Sequence, residues 1–108
     1  MLGTEIEIST LMGFAPAVSS TDTGLYRVLY DVSRQHFPGA PVVPAVLSAF
    51  TDSHFVRDLG ITAYGYTPMV VPLEDVGGIH GNNEPVSVEN VRRGVTIMLD
   101  IVRRLAAN

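Results

Sequence analysis

Three kinds of apolar spacing follow one another along the chain. In residues 4–12 (TEIEISTLM), Glu5 and Glu7 alternate with Ile6 and Ile8, the period of a strand with one face in water. From Thr21 to Phe37 the rhythm changes. Leu25, Val28, Leu29 and Val32 fall at helical spacing, with Arg27, Asp31 and Arg34 on the other side, which predicts an amphipathic helix capped by Thr21 or Asp22 and stopped by Pro38-Gly39. Residues 41–47 (PVVPAVL) read as a short strand buried on both faces, with Pro44 pushing it toward a sheet edge. A turn over 48–52 leads to a short helix, Asp52 to Leu59, ended by Gly60, and then to a second short strand, Ile61 to Tyr66. Ser87 caps the last helix, Val88 to Leu105. Its apolar positions Val88, Val91, Val95, Met98, Val102 and Leu105 keep a 3-4 alternation, widened by Ile97, Leu99 and Ile101.

Apolar strands alternating with amphipathic helices predict an α/β fold, a sheet layered with helices. Ligands in such folds bind beyond the carboxyl ends of the strands. Two connections would leave strands on that rim, one carrying Thr51-Asp52 and the other carrying His80. The second is the larger feature. Between Tyr66 and Ser87 the chain runs through a long polar loop punctuated by Pro68, Pro72 and Pro85, and loops of that length in small domains tend to be functional or disordered.

Composition narrows the field of partners. The 108 residues suffice for one core, and a hydrophobic fraction of 46% argues for a folded chain. The net charge of −4 gives no electrostatic case for nucleic acid or an acidic membrane surface. The absence of cysteine excludes disulfides and thiolate metal sites. No apolar run reaches the ~20 residues a membrane span needs, and the first residues lack the pattern of a secretory leader, so a cytoplasmic location is the expectation.

The residues that could carry chemistry are few. His80 lies in GGIHGNNEP, where glycines let the backbone turn sharply beside an imidazole. A neutral imidazole is a common zinc ligand when a second group orients it, and Glu84, Asn82 or a backbone carbonyl is placed to do so. A lone histidine in such a loop is also compatible with no role at all. Thr51-Asp52 and His54 form the second group. Asp52 either lines a site or caps the short helix, and His54 either acts or packs. There is no nucleophile elbow, phosphate loop, dinucleotide fingerprint or H-E-x-x-H motif.

Five pieces in fixed order carry a resemblance: T-D-S-x-F (Thr51 to Phe55), L-G-I-x-A-Y-G-Y (Leu59 to Tyr66), P-x-E-D (Pro72 to Asp75), I-H-G-x-N-E (Ile79 to Glu84) and S-V-E-N (Ser87 to Asn90). Together they resemble the C-terminal end of the zinc-dependent exopeptidases and amidohydrolases of metallopeptidase family 20. These include carboxypeptidase S, aminoacylase, acetylornithine deacetylase and succinyl-diaminopimelate desuccinylase. The resemblance implies that residues 1–14 hold the last strand of an inserted lid or dimerisation domain and that 15–108 are the C-terminal part of the catalytic domain. It implies a pair of zinc ions sharing a bridging aspartate and a water, with a glutamate as general base, acting on a peptide or N-acyl amino acid. His80 aligns with the last zinc ligand, and Thr51 and Asp52 with the turn lining the substrate cleft. The chain departs from the pattern at Ala49-Phe50, where relatives often have a glycine-rich turn, and at Ala15, where some place a substrate-binding arginine. The family's other ligands and its general base lie before the lid, outside these 108 residues. The expectation is therefore a fragment inactive alone, prone to self-association through uncovered edges, with a stand-alone interaction or oligomerisation module as the alternative.

Overall fold

A computed structural model describes residues 6–47 and 49–107. Three α-helices form: α1 (Gly24–His36), α2 (Ser53–Asp58) and α3 (Val88–Ala106), with a 3-10 helix over Leu73–Gly78 between the last two. The end signals are chemical. The Thr23 hydroxyl accepts from the Tyr26 amide at 3.0 Å and starts α1, two residues after the earliest expected cap. The Ser87 hydroxyl does the same for the Asn90 amide at 3.1 Å and starts α3 where expected. Gly39 and Gly60 take positive φ, 86° and 76°, and turn the chain out of α1 and α2.

Among the described residues the core is the contact between α1 and α3. Val32 and Ile97 are fully buried and Ile101 nearly so, with Val28, Leu29, Phe37 and Tyr66 packed around them. Ser33 is buried beside them and shares a hydrogen bond with the Tyr66 hydroxyl at 2.9 Å, which brings the 61–66 segment onto the helix pair. At the far end of the interface His36 meets Asp100 at 3.5 Å, and Arg104 reaches both Asp100 and the Gln35 amide oxygen.

The expected layered sheet is not present. Among the described residues there is no strand, so the α/β reading is corrected to a helical arrangement joined by irregular segments. A strand exists only where a neighbouring backbone completes its ladder, and here side chains complete it instead. Ser19 Oγ donates to the Ala63 carbonyl at 2.9 Å and accepts its amide at 3.2 Å, and Arg57 Nη2 donates to the same carbonyl at 2.7 Å. The Asn90 amide group holds both polar atoms of Val70, at 3.1 and 2.8 Å. Residues 41–47, expected to be buried on both faces, leave Val43, Val46 and Leu47 exposed. In the opening segment, residues 6–12 are irregular, and the part of the expected strand on Thr4 and Glu5 lies outside the described residues.

The α3 stripe divides in a way the 3-4 alternation did not predict. Ile97 and Ile101 face α1, whereas Val88, Val91, Val95, Met98, Val102 and Leu105 stay 40–66% exposed. Gly94 lies beside the Pro68 carbonyl, and Pro68, Met69 and Val86 wall an open groove of about 620 Å³ along that exposed face. The radius of gyration, 17.9 Å, exceeds the ~13 Å of a compact chain this long. The accessible surface, 8960 Å², exceeds the roughly 5,800 Å² expected at this mass.

Candidate functional site

The His80 loop is built by successive short-range constraints. Pro72 leads into the 3-10 helix, where the Asp75 amide donates to the Pro72 carbonyl at 3.0 Å. At its end the Gly81 amide donates to the Gly78 carbonyl at 2.7 Å, closing a tight turn with His80 inside it. His80 has φ of 64°, the single positive value among described non-glycine residues. That region is uncommon for residues with a side chain, though histidine enters it more readily than most. A Cβ on Gly81 would lie 2.9 Å from the Gly78 carbonyl oxygen, so this position requires glycine. The loop is pinned at its start by the Asn90–Val70 pair and at its end by the Ser87 cap.

The Glu84 carboxylate accepts the His80 backbone amide at 2.9 Å. The sequence offers Glu84, Asn82 or a backbone carbonyl to orient the imidazole. Here Glu84 holds the main chain, and Asn82 is exposed with no hydrogen bond among the described residues. The His80 imidazole is itself exposed. Thr51 and Asp52 are exposed at the start of α2, where their carbonyls accept the amides of His54 and Val56. Asp52 occupies the capping position but its side chain caps nothing. No hydrogen bond or ion pair joins this turn to the His80 loop among the described residues.

Two histidine–aspartate pairs have structural settings, and only the first was among the candidates read from the sequence. His54 pairs with Asp58 at 3.3 Å and lies against the Phe14 ring at 4.6 Å, with Phe50 stacked on Phe14 at 4.5 Å and Phe55 closing the cluster. This favours the packing role for His54 and gives Phe50, the unexpected residue before Thr51-Asp52, a structural use. His36 and Asp100, which no motif singled out, bridge α1 and α3. The Arg104 hydrogen bond holds the Asp100 carboxyl below its usual value, against partial burial, with Arg104's charge and His36 adding to the lowering. Only the i,i+4 spacing of Asp100 and Arg104 signalled any of this.

Among the described residues no three histidine, aspartate or glutamate side chains converge as metal ligands. Catalytic zinc takes about three protein ligands and a water. The residues present do not fit a complete zinc centre. Among the described residues, no helix is long and apolar enough to cross a membrane.

Comparison with known proteins supplies the class. Residues 3–104 match the model of peptidase family M20/M25/M40, and the chain belongs to that family. It is 35% identical over 91% of its length to an N-fatty-acyl-amino acid synthase/hydrolase, PM20D1, of Xenopus tropicalis, and 28% identical over 91% to the mouse protein of that name. A probable carboxypeptidase S-like protein of Dictyostelium discoideum is 28% identical over 90% of this chain. The chain spans about a fifth of these relatives' lengths, 18–20%. No solved structure matches it.

Proposed function

We propose that this chain is the C-terminal portion of a zinc-dependent amidohydrolase or exopeptidase, with His80 as one metal ligand and Thr51-Asp52 lining the substrate cleft. The observation that carries the reading is the family match over residues 3–104, with His80 held in a glycine-bounded turn between two anchored ends. The substrate is a small peptide or N-acyl amino acid, the chemistry that the relatives' names describe. Zinc, if held there by His80 and ligands from elsewhere, would polarise the amide carbonyl and lower the pKa of a bound water. This chain's part is to present an imidazole from a fixed loop, and the remaining ligands and the general base come from elsewhere. By itself it is inactive.

The uncovered surface supports this division. The excess of about 3,100 Å² over a compact chain is several times the ~800 Å² one partner gives to a standard interface. A chain with that much uncovered surface, the exposed apolar face of α3 included, self-associates when isolated. Reading the coding sequence upstream tests the proposal. An in-frame H-x-D motif and Glu-Glu pair are expected, and a stop codon without them would overturn it in favour of a non-catalytic module.

A further inference from the structure

We infer that Glu84 is a positioning residue for His80 and that it works through the His80 main chain rather than through the imidazole. The inference rests on the reading of His80 as a ligand and adds how the ligand is aimed. A histidine at φ 64° occupies a region that is uncommon for residues with a side chain, and local contacts hold it there. Two contacts do. The Gly81 amide closes onto the Gly78 carbonyl at 2.7 Å, and the Glu84 carboxylate takes the His80 amide at 2.9 Å. Returning φ to the common negative range would swing the Cα–Cβ bond about the N–Cα axis by roughly 120°. The imidazole would move with it. A carboxylate on the backbone amide therefore fixes the direction of the ring without using either ring nitrogen. The requirement for glycine at position 81 belongs to the same device, since a Cβ there would collide with the carbonyl that closes the turn.

Substitution separates this role from a charge effect. In the isotopically labelled full-length gene product that carries this segment, stripped of metal, His80 φ is read from backbone shifts and the amide–α-proton coupling, and amide exchange is followed alongside. Glu84→Ala is expected to move His80 out of the left-handed region and to speed its amide exchange about tenfold. Glu84→Gln keeps an acceptor but loses the charge, and is expected to retain positive φ and exchange within about threefold of the parent. Gly81→Ala, which leaves Glu84 intact, should cause the same loss as Glu84→Ala. Unchanged exchange at Ile97 and Ile101 verifies that the helix pair survives in each variant. Retention of positive φ in Glu84→Ala, or a Glu84→Gln no better than Glu84→Ala, would overturn the inference. Because these readouts need no zinc, failure of the metal reading would register separately, in metal content.

Discussion

Replacing Ile97 by alanine should cost far more than replacing Val95, although both belong to the apolar stripe of α3. Ile97 is fully buried against α1, and Val95 is 56% exposed. Ile97→Ala removes three buried carbons. At ~0.8 kcal/mol per buried methylene the transfer loss is about 2.4 kcal/mol, and a residual cavity adds to it. With so small a core there is room to relax, so a total near 2–3 kcal/mol is expected, a large part of any stability the chain has. Val95→Ala deletes atoms that already face water and should cost no more than ~0.5 kcal/mol, since alanine is also the better helix former. Urea titration followed by helical circular dichroism, at concentrations low enough to keep the chain monomeric, measures both. Equal costs would refute the reasoning, because they would mean that the 3-4 stripe is buried and the open face does not exist.

Three further outcomes follow from the same structure. Stability should fall in acid partly through Asp100: its carboxyl is depressed in the folded chain, so its contribution is full above the ordinary value of 3.8 and is lost as pH drops through the lower folded value. Thermal midpoints measured across that range should decline less steeply in Asp100→Asn. Ser87→Ala removes the cap on the Asn90 amide and should cost about 1 kcal/mol, seen as lower helix content and a lower urea midpoint. Asn90→Ala frees both polar atoms of Val70, and hydrogen exchange at Val70 should accelerate while exchange at Ile97 and Ile101 is unchanged.

Elements that depend on neighbours in sequence were legible. The ends of α3 followed from Ser87 and the apolar rhythm, and the ends of α1 and α2 from Pro38-Gly39 and Gly60. The valine-rich run 41–47 was misread because β-branched residues signal a strand only if another strand lies alongside. Here Ser19, Arg57 and Asn90 supply the backbone partners of other segments through side chains, and no local pattern encodes that. The 3-4 repeat correctly marked α3 as amphipathic but could not say which part of a wide stripe would find a partner, since Ile97 and Ile101 are chosen by where Val32 happens to lie. At the candidate site the glycines around His80 announced a turn. The use of Glu84 on a main-chain amide, rather than on the ring, depends on a left-handed φ that sequence does not display.

The central claim is that His80 is a ligand in a metal site completed by residues outside this chain. The most direct measurement is the zinc content of the uninterrupted gene product that carries this segment, purified with His80 intact and as His80→Ala, each also assayed on an N-acyl amino acid. About two zinc ions per chain are expected in the parent, with loss of roughly one and of hydrolysis in the variant. Unchanged zinc content and unchanged hydrolysis in His80→Ala would contradict the account.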